Sequence, residues 1–417
     1  MTDNSCLSKS EMIESGRLKI EWARNYMPVL NQIRDEFEKE KPLVGHKIAM
    51  ALHVEAKTAV LVETLAAGGA VVAITGCNPL STQDDVAAAL NQCENISCFA
   101  KYDCTNDEYY DAIDKVLDIM PDITIDDGAD LILKLHKERR DLLSGIIGGC
   151  EETTTGIHRL LGMEKDGALE MAVLAVNDAK TKFLFDNRYG TGQSAWDAIM
   201  RTTNLLVAGK VVVIGGYGWC GRGAAMRAAG LGAEVVITEI DPTRALEARM
   251  DGYRVTPMEK AAEIGDLFIT TTGNRDILTE KHFRKMKSGV LLANAGHFNV
   301  EINLEDLKKI ATTVKTVRKN IKEYTIDGKK INVLADGRLV NLAAGDGHPA
   351  EVMDMSFANQ ALGVKYIAEN KLSHGVHKVP DEIDSRVARL KLKSMNIEID
   401  TLTERQESYM NDWEEGT

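Results

Sequence analysis

The first half of the chain alternates short apolar runs with longer segments of helical periodicity. Five runs predict buried strands: "KIAMAL", "AVVAIT", "SCFAKY", "DITI" and "MAVLAV". The segments between them predict helices; "AVLVETLAAGG" ends in a glycine pair, and "YYDAIDKVLDI" follows a capping box formed by Thr105 and Glu108. Strands that alternate with helices in this way predict a parallel sheet covered on both faces.

A second alternating block follows "FDNRYGTGQSAWDAIMRTTNLL". It contains "KVVVIGGYGWCGRGAAMRAAGLGAEVVITEIDP", "DLFITTTGN" and "GVLLANAGHFN", in which each strand-like run leads into a polar or glycine-rich loop. The break between the two blocks lies near Asn187 to Lys210. We therefore predict an α/β protein with two doubly wound parallel-sheet domains and a short C-terminal oligomerisation tail, which is charged and amphipathic.

Polar residues follow four of the predicted strands in the first block. They are His53, Cys77, Asn78, Ser81, Asp126, Asp127, Asn177 and Asp178. Because the carboxyl ends of parallel strands open on one edge of a sheet, we expect these loops to converge on a single crevice. The alternative is that Asn, Asp and Ser are simply common turn residues. "DDGAD" and "CEETTTG", however, contain more carboxylates and hydroxyls than a turn requires.

The composition excludes several classes of protein. The 417 residues carry a formal net charge of -13, which gives no electrostatic footprint for nucleic acid and no basic cluster for a membrane surface. No apolar run approaches the roughly 18 to 20 residues that span a bilayer, and the N-terminus lacks a signal-peptide core. Seven cysteines without a CxxC or Cys/His pairing predict reduced thiols and no metal site. We expect a cytoplasmic protein.

A dinucleotide fingerprint opens the second block. Gly216, Gly218 and Gly221 form GxGxxG directly after a strand and at the start of a helix, where a pyrophosphate can sit on the helix N-terminus. The next strand ends at Glu239, whose carboxylate can accept from both ribose hydroxyls and would repel a 2'-phosphate. This favours NAD over NADP; the alternative is a glycine-rich turn without a nucleotide. "TTTGN" and "NAGH" should line the same groove.

These features alone favour an NAD-dependent dehydrogenase of 2-hydroxy acids. A more specific resemblance lies in "CNPLSTQDDVAAAL", "DDGADL", "EETTTGIHRL", "VNDAKTKFLFDNRYG", "GYGWCGRG", "VITEIDPTRALEARMDGY", "TTTGN", "GHFNVEI" and "GRLVNLAAGDGHP". In order and spacing these motifs resemble the adenosylhomocysteinase family, from about Ser15 to Tyr409. The resemblance implies a reversible net hydrolysis with tightly bound NAD: oxidation of the ribose 3'-hydroxyl acidifies the 4'-hydrogen, homocysteine leaves, water adds, and the ketone is reduced again.

The resemblance also implies roles for five catalytic residues. Lys182 and Asp186 match the pair that handles the 3'-hydroxyl proton and orients the ribose. Asp127 matches the carboxylate that transfers the 4'-proton, and His53 and His297 match the acid/base groups at the leaving group and water. A lysine in this role must lose its proton near neutrality, which burial favours. The alternative for Lys182 and Asp186 is an exposed i,i+4 ion pair.

The remaining site residues are carried over from the same resemblance. Those implied for the substrate are Glu55, Lys57, Thr58, Glu152, Lys182, Asp186, His348 and Met353. Those implied for NAD are Thr153, Thr154, Thr155, Asn187, Gly216, Gly218, Trp219, Cys220, Gly221, Glu239, Thr271, Thr272, Asn274, Ala295, Gly296, His297, Asn341 and His348. The implied domains are residues 1–187 for the substrate, with residues 349–385 returning to it, 188–348 for NAD, and 386–417 as a tail. A homotetramer is expected.

Three positions outside the base-reading segment depart from the family pattern. Thr191 stands where the family commonly has a cysteine, and Trp219 and Cys220 replace the usual Asp-Val in the glycine loop. The sequence also ends at "MNDWEEGT", without the longer tail whose lysine and tyrosine reach a neighbouring subunit's NAD. The cap over NAD and the pyrophosphate contacts are therefore expected to differ in detail.

The segment that reads the base departs further. Familiar members have approximately "HMTVET" or "HMTIQT", whereas this chain has "HVEAKT", with Lys57 at the base-reading position and Glu55 replacing a threonine. An ammonium group donates but cannot accept the bond from the adenine amino group. Hypoxanthine offers a carbonyl for Lys57 and an N–H for Glu55, which favours S-inosyl-L-homocysteine as substrate.

Several alternatives to this interpretation stay open at the level of sequence. Glu55 could accept from adenine while Lys57 points to Glu55 or to solvent, or the two could be exposed residues in the first turn of a helix. A strict S-adenosyl-L-homocysteine hydrolase and a catalytically silent regulatory relative are the alternative functions.

Overall fold

The computed structural model describes residues 8–413, which form two sheets surrounded by helices. The strands are β1 (Lys47–Ala51), β2 (Val71–Thr75), β3 (Ile96–Cys98), β4 (Ile123–Asp126), β5 (Gly148–Glu151), β6 (Ala172–Ala175), β7 (Val211–Gly215), β8 (Glu234–Thr238), β9 (Arg254–Val255), β10 (Leu267–Thr270), β11 (Val290–Asn294), β12 (Thr313–Arg318), β13 (Ile321–Ile326), β14 (Lys329–Leu334) and β15 (Gly375–Lys378).

Helices precede, connect and follow these strands. They are α1 (Lys9–Asn25), α2 (Pro28–Glu40), α3 (Ala56–Ala67), α4 (Asp84–Leu90), α5 (Asn106–Leu117), α6 (Asp130–Lys137), α7 (Thr154–Lys165), α8 (Lys180–Phe183), α9 (Thr191–Thr203), α10 (Trp219–Gly230), α11 (Pro242–Met250), α12 (Met258–Ile264), α13 (Glu280–Phe283), α14 (Leu304–Ile310), α15 (Val340–Ala343), α16 (Ala350–Glu369), α17 (Asp381–Ser394) and α18 (Glu404–Asn411). The predicted capping box of Thr105 and Glu108 is present at the start of α5.

The first sheet has seven strands in the order β15-β6-β5-β4-β1-β2-β3, all of them parallel. Its order reverses between β1 and β4, because the chain builds β2 and β3 on one side and then crosses to β4 on the other. A ligand crevice in such a sheet forms where the two neighbouring loops diverge, at the carboxyl ends of these strands. His53 and Asp127 therefore lie at the switch point.

The second sheet has eight strands in the order β12-β13-β14-β11-β10-β7-β8-β9. Six of them, from β14 to β9, are parallel, and the order reverses between β7 and β10. The prediction of two doubly wound parallel sheets is confirmed. The structure adds β13 and β12, which run antiparallel along one edge. Mixed edges of this kind are common on large parallel sheets.

Helices cover both faces of each sheet, as the continuous apolar strands require. In the first sheet, α2, α3, α4 and α16 bury one face, and α5, α6 and α7 bury the other. In the second sheet, α9, α10 and α15 lie on one face and α12, α13 and α14 on the other. The chain returns to the first sheet through α16 and through β15, which pairs with β6. Among residues 8–413, no helix is long and apolar enough to cross a bilayer.

Candidate active site

A single cleft of about 1070 Å³ lies between the carboxyl edges of the two sheets. Every catalytic, substrate and NAD residue implied by the resemblance lines this cleft except Gly221. Of the eight polar residues that follow strands of the first block, His53 and Asp127 line it, and Cys77, Asn78, Ser81, Asp126, Asn177 and Asp178 do not. Gly221 instead lies in the first turn of α10, where a Cβ atom would stand 2.1 Å from the carbonyl oxygen of Gly216. Gly221 therefore packs the helix closely against the glycine loop, as the third glycine of the fingerprint does, and its assignment to the cofactor site stays a prediction.

Asp127 lies between two histidines that come from different sheets. Its Oδ2 is 3.4 Å from Nε2 of His53, and its Oδ1 is 3.5 Å from Nδ1 of His297. His53 follows β1 and His297 follows β11, so the arrangement exists only where the two domains meet. The three ligand atoms lie within 4.8 Å of one another, close enough to hold a metal ion, and the absence of a metal stays a prediction.

The His53 side chain is only 13% exposed, and Ser81 fixes the orientation of its ring from the side away from the cleft. Its Nδ1 lies 2.8 Å from Oγ of Ser81, whose hydroxyl donates to the carbonyl of Asn78. The Ser81 oxygen is then an acceptor for an Nδ1–H of His53, which leaves Nε2 on the cleft side without a proton. Burial lowers the pKa of His53 to about 4, although the carboxylate of Asp127 opposes this shift. A neutral imidazole with a free Nε2 can accept a proton in the cleft.

Lys182 and Asp186 are buried, with relative exposures of 4% and 2%, so the alternative of an exposed ion pair is wrong. Nζ of Lys182 lies 3.2 Å from Oδ2 of Asp186 and 3.4 Å from Oε1 of Glu152. It also donates to Oδ1 of Asn187 at 2.9 Å and to Oδ1 of Asn177 at 3.4 Å. Five polar groups therefore converge in this part of the cleft.

The pKa of Lys182 departs from the sequence-based expectation. Burial does favour the neutral amine, but the charges of Asp186, Glu152 and Asp127 outweigh it and raise the pKa above its usual value. Opposite charges at 3 to 4 Å stabilise the ammonium form more than burial destabilises it. This arrangement alone therefore does not make Lys182 lose its proton near neutrality, as the sequence led us to expect.

The two carboxyls beside Lys182 differ in their surroundings. Burial alone would raise the pKa of Asp186, but Lys182 and His348 hold it well below its usual range, and Nδ1 of His348 is hydrogen-bonded to Oδ1. Ser356 also donates to Asp186, at 2.8 Å. Burial raises the pKa of Glu152 to about 7, even though Lys182 lowers it and Gln360 donates to it at 2.5 Å. Asp186 is thus the anion, and Glu152 can hold a proton near neutrality.

Glu55 and Lys57 form the opposite wall of the cleft. Glu55 is the N-cap of α3 and accepts from the backbone N–H groups of Lys57 and Thr58 at 3.0 and 3.2 Å. Nζ of Lys57 lies 2.6 Å from Oε2 of Glu55 and donates to the carbonyl of Asp346 at 2.6 Å. Glu55 and Lys57 are 4% and 8% exposed, which contradicts an exposed pair in the first turn.

The cofactor half of the cleft fits a dinucleotide. Gly216 has φ +97°, a backbone conformation that glycine favours, and Gly218 caps the 12-residue helix α10 with space where a side chain would project. Free N–H groups at a helix N-terminus bind a pyrophosphate. Glu239 lies at the end of β8 and accepts from the N–H of Tyr217 at 2.7 Å, which fixes its carboxylate at the mouth of the groove.

Trp219 and Cys220, the departures in the glycine loop, contact groups outside it. The Trp219 ring lies 5.4 Å from the ring of Phe183 and 4.5 Å from the guanidinium of Arg222. The thiol of Cys220 accepts from Thr191 at 3.5 Å, so sulfur is retained beside the position where the family has its cysteine. The larger loop residues therefore connect α8 and α9 to the start of α10.

Two buried residues hold the cofactor loops: Asn294, which belongs to the "NAGH" stretch predicted for the groove but does not line the cleft, and Glu301, which was not predicted. Asn294 accepts from the N–H of Gly296 at 2.8 Å and donates to the carbonyls of Gly296, Phe298 and Gly337. Glu301 accepts from both backbone and hydroxyl of Thr272 and from the N–H of Gly273. In the sequence, Asn294 could be noticed as the polar residue that ends the apolar run "GVLLAN". Glu301 could be noticed as the carboxylate that follows shortly after, in "GHFNVEI".

Helix α16 supplies further unassigned polar groups. Ser356 and Gln360 bond the carboxyls of Asp186 and Glu152, and both are fully buried. Ser356 and Gln360 stand four positions apart on this 20-residue helix and so lie on one stripe, which is a readable signal that the stripe faces a polar site.

The chain matches two family models. Residues 5–143 match "S-adenosyl-L-homocysteine hydrolase" and residues 187–347 match "S-adenosyl-L-homocysteine hydrolase, NAD binding domain". It is 73% identical over 411 residues to the S-inosyl-L-homocysteine hydrolase of Methanosarcina mazei, covering 99% of this chain and 100% of that protein. It is 61% identical over 404 residues to the adenosylhomocysteinase of Archaeoglobus fulgidus, covering 96% of this chain and 100% of that protein.

A solved structure supports the fold alone. A dipicolinate synthase polypeptide from Bacillus halodurans superposes with a TM-score of 0.50 at 14% identity, over 78% of this chain and 99% of that chain. The family models and the two relatives, by contrast, extend over both sheets and the cleft between them. The chain therefore belongs to the S-adenosyl-L-homocysteine hydrolase family and contains its NAD binding domain.

Proposed function

We propose that this protein hydrolyses S-inosyl-L-homocysteine reversibly to L-homocysteine and inosine, in the service of the methylation cycle. The observation that carries the choice of base is the buried ammonium group of Lys57 at the cleft wall, bonded to Glu55 and to the carbonyl of Asp346. The relative from Methanosarcina mazei bears the corresponding name. Hydrolysis of S-adenosyl-L-homocysteine is the second candidate.

The contacts of Lys57 support a purine with a carbonyl at its edge. An ammonium has three N–H donors, and two of them are directed at Glu55 and Asp346, so one is free to meet the 6-carbonyl of hypoxanthine. Both oxygens of Glu55 already accept hydrogen bonds within α3 or from Lys57. Glu55 therefore acts as helix cap and counter-ion, and because its carboxylate lines the cleft beside Lys57 it is also the acceptor that we propose for the hypoxanthine N–H.

The Glu55 carboxylate is also what favours the second candidate. It lines the cleft and could accept from the amino group of adenine while Lys57 stays paired with it. The adenine edge would then face one ammonium donor that it cannot satisfy, which a buried site penalises. The inosyl compound leaves no such donor unpaired, so we rank it first.

The residues around the ribose have separable tasks. NAD, when bound by the glycine loop and Glu239, supplies the hydride acceptor and donor for the 3'-carbon. Neutral Lys182 takes the 3'-hydroxyl proton, and Asp186 stabilises the ammonium that forms. The proton that the Lys182 ammonium carries at rest must first pass to Glu152, whose carboxyl lies 3.4 Å away and whose pKa burial raises to about 7. In this proposal the transfer accompanies substrate binding and leaves Lys182 neutral, ready to act as a base.

The opposite side of the ribose faces Asp127 and the two histidines. Once the 3'-carbon is oxidised, Asp127 takes the 4'-proton. His53, neutral and between Ser81 and Asp127, and His297, on the other oxygen of Asp127, serve the departing thiolate and the entering water. His348 and Met353 border the same cleft and contact the base or the homocysteine chain.

We assign the substrate to residues 1–187 with 349–385, and NAD to residues 188–348. We also propose a cytoplasmic homotetramer in which residues 386–417 contact a neighbouring protomer. Its support is a row of exposed apolar side chains in that segment, namely Met395, Ile397, Ile399, Leu402, Met410 and Trp413. Exposed apolar clusters of this kind mark protein interfaces. Light scattering on the purified protein tests the tetramer, and a monomer at micromolar concentration would contradict it.

The function itself is tested by thiol release. The purified protein, without added NAD, is incubated separately with S-inosyl- and S-adenosyl-L-homocysteine, and free homocysteine thiol is measured. We expect release from the inosyl compound with the higher kcat/KM. No thiol from either compound would overturn the hydrolase proposal, and release from the adenosyl compound alone would overturn the preference.

A further inference from the structure

Two buried carboxyl side chains lie directly behind Asp127 and have no part in the steps above. Asp126 is the last residue of β4 and Glu151 the last residue of β5, and the strand register pairs them. Paired residues on neighbouring parallel strands point to the same face of the sheet, about 4.8 Å apart. Both residues are 0% exposed. The two carboxyl groups are therefore neighbours within the protein interior.

Each carboxyl accepts hydrogen bonds from two backbone N–H groups, one of which belongs to the loop around Asp127. Asp126 accepts from the N–H of Asp127 at 2.9 Å and from that of Ile132 at 2.9 Å. Glu151 accepts from the N–H of Gly128 at 2.8 Å and from that of Thr153 at 3.1 Å. The peptide groups on both sides of Asp127 are thus fixed. Through Thr153, the same pair joins this loop to the threonines at the cofactor groove.

No cation balances the pair. Neither Asp126 nor Glu151 has an ion-pair partner among residues 8–413, and Oε2 of Glu151 has no hydrogen-bond partner. Arg159 approaches the loop but donates to the carbonyl of Gly128 and to Asp130. The titratable groups that face the pair are Asp127, Asp130, Cys77, Tyr109 and Cys150.

Two adjacent buried carboxyls without a cation cannot both be ionised at low cost. Burial raises the pKa of Asp126 to about 8, helped by the charges of Asp130 and Asp127. Burial and the charge of Asp126 raise the pKa of Glu151 well above its usual value. The unpartnered Oε2 of Glu151 is the atom with room for a proton.

We propose that Asp126 and Glu151 share one proton at neutral pH and act together as positioning residues for Asp127. The assignment of the 4'-proton transfer to Asp127 rests on the proposed function; the shared proton does not. With one proton, the pair can sit side by side and accept all four backbone bonds. Loss of that proton sets two negative charges against each other, forces the ends of β4 and β5 apart, and displaces Asp127.

Two variants of Glu151 separate positioning from folding. Glu151→Gln imitates the protonated form, so we expect kcat at neutral pH within about threefold of wild type and a weaker fall in kcat at alkaline pH, because no proton can be lost there.

Glu151→Ala removes the acceptor for Gly128 and Thr153. A misplacement of about 1 Å can cost on the order of 100-fold, so we expect kcat for thiol release to fall by roughly 10- to 100-fold. NADH formation on mixing with inosine should fall less than thiol release, because Lys182 and Asp186 are untouched and only the Thr153 contact at the cofactor groove is lost.

Asp85→Asn is the matched control, because Asp85 is equally buried but pairs with Lys19 at 2.7 Å and does not line the cleft. It should lower stability and leave the pH profile unchanged. An alkaline limb in Glu151→Gln that superposes on wild type would overturn the proposal. So would an equal loss of NADH formation and thiol release in Glu151→Ala.

The shared proton has a readout that is independent of activity. The infrared difference spectrum of wild type minus Glu151→Gln at neutral pH should contain the stretch of a protonated carboxyl, and Glu152, which can also hold a proton, contributes to both proteins and cancels. Absence of that difference band would refute the shared proton whatever the protein hydrolyses. A wild type with the band but without thiol release would instead refute the proposed function.

Discussion

The ammonium group of Lys57 lies 2.6 Å from the carbonyl oxygen of Asp346, so the helix that follows β1 is hydrogen-bonded to the segment where the chain leaves the cofactor sheet. The same group lies 2.6 Å from Glu55. One side chain therefore takes part both in the wall that faces the base and in the contact between domains. A substitution at position 57 is expected to change both.

Lys57→Gln should shift the preference towards the adenosyl substrate. The amide can donate to Asp346 and still offer an oxygen to the adenine amino group, whereas Lys57 offers only donors. We expect a change of about 1 to 3 kcal/mol in the ratio of kcat/KM for the two substrates. Thiol release from both compounds measures it. Lys41→Gln is the matched control, since Lys41 donates to the carbonyl of Ala67 at the other end of α3.

Lys57→Glu alone should reduce activity on both substrates. It would place a second carboxylate against Glu55 and the Asp346 carbonyl, and like charges in a buried site are costly. Adding Glu55→Thr removes the repulsion, so the double variant should recover activity with an adenosyl preference. If Lys57→Glu alone is fully active on S-adenosyl-L-homocysteine, the expected repulsion between position 57 and Glu55 is contradicted.

Gly128→Ala should abolish activity by displacing His297. Gly128 has φ +105°, and a Cβ atom there would stand 2.4 Å from Nε2 of His297. The histidine must move away from Asp127, so we expect thiol release to fall by about 100-fold or more. Gly45→Ala controls for backbone strain alone, because Gly45 has φ +88° and no atom within 4 Å of its Cβ position. Equal activity losses in the two variants would rule out the His297 clash.

Asn294→Asp should impair the His297 loop while the protein stays folded. The new carboxylate oxygen would face the carbonyls of Gly296, Phe298 and Gly337, to which Asn294 now donates. We expect slower thiol release, and partial recovery at lower pH, where a protonated Asp can donate again. Asn332→Asp, at a half-buried amide that donates to Val290, is the control. If thiol release does not recover at lower pH, loss of the Asn294 amide donor is not the cause of the slower reaction.

His53 should make stability depend on pH in a predictable direction. Its pKa is lowered by burial to about 4 in the folded protein, so between about pH 4 and 6.5 the unfolded chain binds the extra proton. The contribution of neutral His53 to the free energy of unfolding is fully present above the pKa that histidine has in the unfolded chain. It is lost as the pH falls, by at most about 3 kcal/mol. Urea unfolding of wild type and His53→Asn at several pH values measures it. Parallel stability curves for the two proteins would contradict the assignment.

The main elements were readable from the chain because local chemistry specifies them. The apolar runs that became β1, β2, β4 and β6 are short, rich in aliphatic residues and bounded by turn residues. The glycine loop before α10 was readable because Gly216 needs a positive φ. Strand β5 was not predicted, because "GGCE" has no strand propensity of its own. It pairs with β4 and β6, and at Gly149 a Cβ atom would lie 2.2 Å from Oγ1 of Thr124.

The edge strands β12 and β13 and the returning strand β15 were also missed. Their pairing is decided by neighbours rather than by their own sequence; β15 joins β6 only because α16 carries the chain back across the first sheet. Polar residues on α16 were missed for the same reason. Ser356 and Gln360 have no local partner, and their partners Asp186 and Glu152 lie 170 and 208 positions away in the chain.

Motif order and strand-to-loop positions are local properties, so the amino-acid sequence was enough to specify the two-sheet architecture, the family and the residues that line the cleft. The ionisation of those residues was decided by folding. Burial was expected to help Lys182 lose a proton near neutrality, yet three carboxylates, which directly follow β4 and β5 or precede α9, raise its pKa. Glu55 was expected to read the base, and the structure adds that as N-cap of α3 it is also bonded to Thr58 and Lys57. Burial can be read from a pattern, but the charges that surround a buried group depend on which distant segments fold against it.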